Sequence, residues 1–186
     1  MSNLERIENY SYLLERCEKA LREKNVVTLE TLNALAWDLQ SDGEYEEAIK
    51  FNERCLAVKM KVFGEDHKQT LNTLNNLGVV YKNLKNYEKA LGYFESAFEG
   101  YEKILGMNHP DTVGAVKNMA VIYTHLKDFR KAEELFPRAL EGLEAQLRKD
   151  DVKTKQCALN FRWCLELSGN SDRLIQLIAS YPWLNE

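Results

Sequence analysis

Three prolines and nine glycines in 186 residues leave little material for linkers, and no low-complexity tract interrupts the chain. Four cysteines, Cys17, Cys55, Cys157 and Cys164, form no CxxC pair and have no histidine at metal-ligand spacing. They read as small buried thiols in a reducing, cytoplasmic setting. No run approaches the roughly 18 apolar residues that suggest a membrane span, and "MSNLERIENYSYLLERCEKAL" lacks the apolar core of a signal peptide. A net charge of −4 argues against nucleic acid as a partner. The basic cluster that exists is Lys82, Lys85, Lys117, Lys127, Arg130 and Lys131. Three histidines supply no triad, and there is no nucleophile elbow, no phosphate-cradling glycine loop and no HExxH. Paired carboxylates (Glu46-Glu47, Glu133-Glu134) fall on solvated helix faces. These absences predict a chain that is not an enzyme, has no metal or cofactor, and does not insert into membranes.

What the chain does have is repetition. "FGEDHKQTLNTLNNLGVVY" at 63–81 returns 42 positions later as "LGMNHPDTVGAVKNMAVIY" at 105–123. Gly64/Gly106, His67/His109, Thr70/Thr112, Asn76/Asn118, Val79/Val121 and Tyr81/Tyr123 keep the same letter. The register extends further. Thr28, Thr70, Thr112 and Thr154 form one column; Leu35, Leu77, Met119 and Phe161 another; Ala48, Ala90, Ala132 and Leu174 a third. Fixed periods of this size mark stacked supersecondary units.

Within a unit the apolar spacing is helical. Leu71, Leu74, Leu77, Val80, Tyr81 and Leu84 gather on one face, as do Tyr87, Ala90, Leu91, Phe94, Ala97, Phe98, Tyr101 and Leu105 after the break at "KNLKNYEKA". The spacing predicts a first helix at 3–23, then helix pairs at 27–41/44–61, 69–84/87–105, 111–126/129–147 and 153–167/171–180. The "HPDT" phrase reads as a helix-start device. Pro110 suits the first turn, and Thr70, Asp111 and Thr112 are placed to accept from its free N–H groups. Pro137 stands mid-helix where its sister positions hold Glu53 and Glu95, which predicts a bend. Gly100 and Gly142 share a column, which predicts close packing.

These columns resemble tetratricopeptide repeats. Leu74, Leu77-Gly78, Tyr81, Ala90, Phe94 and Ala97 fill the family pattern, and Val116, Met119-Ala120, Tyr123, Ala132, Phe136 and Ala139 fill it again. Units of 42 residues are similar to those of kinesin light chains. The resemblance implies an all-α fold, a right-handed superhelical α-solenoid of antiparallel helix pairs in one domain. Its parts are an N-terminal half-repeat helix (1–26), repeats at 27–68, 69–110 and 111–152, and a degenerate repeat with cap (153–186).

The sides of the first helices turned away from the apolar face carry a second pattern. On one helix it is Asn72, Asn75, Asn76, Val79, Lys82 and Asn83; on the next, Gly114, Lys117, Asn118, Val121, Thr124 and His125. The flanking units give Asn33 and Trp37 before and Asn160 and Trp163 after. Asn is a poor helix former, several tenths of a kcal/mol worse than Ala at each site, so the stripe needs a reason outside the helix. An Asn amide pairs with both halves of a peptide bond, a glycine lets a backbone come close, and Lys82 and Lys117 favour an acidic or carboxylate-bearing segment. By resemblance this stripe lines the concave groove. The expected function is an adaptor that binds a peptide or protein segment; the alternative is an assembly module that self-associates through its ends, "YPWLNE" among them. Asn76, Asn118 and Asn160 stand nearer the packing edge, where bonds to the neighbouring repeat compete with a ligand.

Overall fold

The computed structural model describes Tyr12, Glu15, Lys19, 38–40 and 42–185. The chain divides into two compact units, 1–100 and 101–186. All regular structure among the described residues is helical: α1 (Tyr45–Phe63), α2 (Lys68–Asn83), α3 (Tyr87–Leu105), α4 (Pro110–His125), α5 (Phe129–Gln146), α6 (Val152–Ser168), α7 (Ser171–Ser180) and a 3-10 turn (Pro182–Asn185). The periodicity placed these helices to within two residues at each end. The expected helices at 3–23 and 27–41 lie largely outside the described residues.

Most boundaries have a local cause that recurs with the period. At the turns inside a repeat, Gly43, Lys85, Lys127 and Gly169, one column of the register, all adopt left-handed φ, at 79°, 59°, 62° and 73°. Such a residue ends a helix and frees the chain to reverse. The next position caps the following helix: Asn86, Asp128 and Asn170 accept from the N–H groups of Lys89, Lys131 and Arg173 at 3.3, 3.2 and 3.3 Å.

Between repeats, the histidines answer the question raised by their recurrence. His67 Nδ1 accepts from Gln69 N–H and His109 Nδ1 from Asp111 N–H, each at 3.2 Å; Asp151 does the same for Lys153 at 2.8 Å. The threonines correct the expectation. Thr70 and Thr112 do not accept from first-turn donors; their hydroxyls donate back to the Gly64 and Gly106 carbonyls, both at 2.8 Å, tying the turn to the helix start.

In the first unit α1 packs on α2. Leu39, Ala48, Phe51, Cys55 and Val80 form an apolar core. Gly78 and Gly100 sit where a Cβ would collide with Phe94 and Leu71 respectively, so α2 and α3 approach at the limit set by glycine. Four buried residues among those described in this unit are not apolar: Asn52, Lys59, Thr70 and Thr73. Lys59 is only 1% exposed, and its Nζ donates to Thr73 Oγ1 at 2.8 Å. Burial lowers its pKa, against a smaller opposing effect of Cys55.

In the second unit α4 lies along α5, α5 along α6, α6 along α7, and α6 also touches α4. The contact between α4 and α6, first helices of successive repeats, is the stacking that builds a solenoid. Phe136 and Phe161 stack with centroids 5.2 Å apart, and Gly142 meets Val113 as Gly100 meets Leu71, which bears out the close packing expected of that column. Helix α5 runs unbroken through Pro137, whose ring is exposed.

Candidate functional site

The face of α2 turned from its core is continuous. Buried Leu71, Thr73, Leu77, Gly78, Val80 and Tyr81 occupy one half of the helix. Asn72, Asn75, Asn76, Val79, Lys82 and Asn83 occupy the other, half-buried except for exposed Asn83. The physical origin is the 3.6-residue turn acting on two interleaved patterns, so that the fold fixes one half and leaves the other to other demands.

In the second unit the same half of α4 presents Gly114, Lys117, Asn118 and Val121, half-buried, with His125 exposed. A Cβ at Gly114 would meet nothing within 4 Å, so packing does not require this glycine. The contrast with Gly142 isolates it as a glycine of the exposed face. Thr124, named in the same stripe, is buried instead; its hydroxyl donates to the Ala120 carbonyl at 3.0 Å.

Helix α6 continues the stripe with Asn160 and Trp163. The structure brings His125 and Trp163 together, ring centroids 4.9 Å apart and edge-on at 60°. Asn160 Oδ1 accepts from Gln156 Nε2 at 3.2 Å along its own helix, which occupies part of the bonding capacity expected to serve a neighbour or a ligand. Lys117 stands close enough to α6 to act on Cys157, whose thiol is pushed up to about 12 by burial against the pull of that charge. Cys55, Cys157 and Cys164 are buried, as expected of small interior thiols. Asn33 and Trp37 lie outside the described residues.

Two residues of this face escaped the sequence reading. Leu159 and Leu167, 44% and 52% exposed, flank Trp163 on α6. They occupy the columns of Asn75/Lys117 and Asn83/His125, so carrying those columns forward by one period finds them. The outward residues of the two units therefore differ in character: amides lead on α2, whereas α4 and α6 add an imidazole, an indole and two leucines. Among the described residues no cluster of His, Cys, Asp or Glu is placed to hold a metal ion, and no helix is long and apolar enough to cross a membrane.

A tetratricopeptide-repeat family profile matches residues 28–103 and again 69–145. No curated protein matches the sequence. Among solved structures, the chain is similar to a Podosopora anserina kinesin light chain protein with nearly identical TPR-like repeats, with a TM-score of 0.72 and 19% identity over 95% of this chain and 83% of that one. It is also similar to BtubC (BKLC) from P. vanneervenii, with a TM-score of 0.66 and 18% identity over 97% and 90% of the two chains. A Rap protein solved with competence and sporulation factor gives a TM-score of 0.68 and 15% identity; the chain covers 48% of its length. At these identities the likeness is one of fold, and it meets the all-α solenoid expected from the columns. On its repeats and the profile that spans them, the chain belongs to the tetratricopeptide-repeat family.

Proposed function

We propose that the chain is a protein–protein interaction module that receives a peptide or protein segment on the outward faces of α2, α4 and α6. The observation that carries this reading is the divergence between two sets of columns. Most core columns keep an apolar class from repeat to repeat, as Leu77/Met119/Phe161 and Ala48/Ala90/Ala132 do, whereas the outward columns change chemistry yet keep amides that helices disfavour. Asn72, Asn75, Asn76 and Asn118 offer donors and acceptors to a ligand backbone. Gly114 admits close approach, Lys82 and Lys117 favour a carboxylate-bearing segment, and Val79, Val121 and Trp163 take apolar side chains. Asn33 and Trp37 extend the same columns by one unit. The reading needs no cofactor, no nucleic acid and no chemistry.

The competing reading, assembly through the chain's ends, draws less support. Tyr181 and Leu184 of "YPWLNE" are buried within the second unit, and Trp183 packs edge-on against Tyr181 at 5.9 Å. The apolar residues of that end are used internally.

Affinity capture with wild type and with Asn75→Asp/Asn118→Asp, matched for helicity and melting, tests the proposal. A protein held by the first and lost from the second is the expected outcome. Identical captures, with concentration-dependent self-association of the free chain in sedimentation, would favour the assembly reading instead.

A further inference from the structure

Two features stand outside the recognition face: the proline inside α5 and the brevity of α7, ten residues where α5 has eighteen. The proline bears on how the short helix is held. A residue at 137 bearing an N–H would donate to the carbonyl of Glu133, four positions back. Pro137 has no such hydrogen, so that carbonyl lacks its regular helical donor. Arg173 of α7 supplies one, with Nη1 at 3.0 Å from the Glu133 carbonyl oxygen and 3.2 Å from its Oε2. The same carboxylate accepts from Ser168 Oγ at 2.9 Å and from Asn170 Nδ2 at 2.8 Å. One residue of α5 thus gathers donors from the end of α6 and the start of α7.

A second clamp stands three helical turns along. The Tyr181 hydroxyl donates to Glu144 Oε1, and Lys149 Nζ lies 3.9 Å from the same oxygen. Asn170 and Tyr181 each fall 37 residues beyond the carboxylate they bind. An equal offset at both ends means that α5 and α7 run parallel and in register. Between the clamps they do not close up. A groove of about 440 Å³ separates them, with Pro137, Leu140 and Glu141 on one wall, Gln176 and Leu177 on the other, and Phe161 among the residues lining it. Leu177 is the one fully buried residue of α7, while Ile175 is 66% exposed. Few buried apolar contacts are the mark of an element that opens locally before its neighbours.

We infer that α7 is a strap, latched to α5 at Glu133, that undocks while α4, α5 and α6 remain folded, and that Pro137 makes the latch by freeing the carbonyl Arg173 binds. Gly169, left-handed at the α6–α7 turn, is the hinge. Undocking opens the groove and exposes Leu140 and Phe161 beneath it.

Hydrogen exchange on the full chain tests this with Pro137→Ala, Arg173→Met and the double variant. In Pro137→Ala the carbonyl regains its helical donor, so amides around 133–140 exchange more slowly and those of α7 faster, by about three- to tenfold for one net hydrogen bond. Arg173→Met speeds α7 by at least that factor, since it also removes the bond to Glu133 Oε2, and in the Pro137→Ala background its added effect is smaller than in wild type, because both changes remove the bond to the carbonyl. Unchanged α7 exchange in Pro137→Ala overturns the inference. So do effects of the two changes that simply multiply, or α7 exchange that never separates from that of α6.

Discussion

The outward face of α2 and that of α4 and α6 obey one register and carry different chemistry. The first unit offers amides, a valine and a lysine; the second offers a glycine, a lysine, an amide and a valine, then an imidazole on an indole between two exposed leucines. Their cores compare in the opposite way. Phe94 and Phe136 fill the same column and are both fully buried, and Gly100 and Gly142 admit a neighbouring side chain at the same place. Stability constrains the inner columns and leaves the outer ones free, so the identity of the outer residues is information about something other than folding.

The comparison can be broken at several strengths. Phe94→Ala and Phe136→Ala each remove a fully buried ring, and each should cost about 3–5 kcal/mol in chemical denaturation. Unequal costs would show that the two cores are not equivalent. The glycines give a sharper contrast. A Cβ on Gly142 would come within 2.5 Å of Val113 Cγ2, so Gly142→Ala should destabilise by about 1–3 kcal/mol. Gly114→Ala meets open space and should stabilise by about 0.5–1 kcal/mol through helix propensity; a loss there would mean that Gly114 packs after all.

Lys59 tests a place where the cores differ in kind. Its column continues with Tyr101 and Leu143, all three buried. Because burial lowers its pKa in the folded protein, the unfolded chain holds the extra proton between that lowered value and the ordinary one. Stability therefore rises with pH through this window. Lys59→Met should abolish that part of the slope, measured as unfolding free energy against pH for both proteins; an unchanged slope would contradict a buried lysine of lowered pKa. The smallest expected effect is on the outward face. Asn76→Ala should raise stability by a few tenths of a kcal/mol, because the helix prefers alanine. A loss above about 1 kcal/mol, the worth of a typical hydrogen bond, would assign that amide to repeat packing.

Most of the architecture was legible because it is local and periodic. The helix limits, the histidine-led turns and the close glycines all follow from residues a few positions apart, repeated until the pattern was unmistakable. The Thr70 and Thr112 bonds were misread because Thr can cap a helix or donate back to a preceding carbonyl, and only geometry chooses between the two. The burial of Lys59 was hidden by its charge, although Leu143 in the same column pointed inward. Leu159 and Leu167 were passed over because an exposed leucine reads as core unless the register is applied. The Pro137–Glu133–Arg173 arrangement was beyond the sequence, since it joins residues 40 apart that share no column.

The central claim is that the outward faces of α2 and α4 contact a protein partner. A benzophenone amino acid placed at Val79 or Val121, and separately at the exposed Arg130 and Glu134 of α5, measures this most directly after irradiation in native extract. The account predicts a discrete protein adduct from the first two positions and none from the α5 pair. Adducts from the α5 positions alone would contradict it.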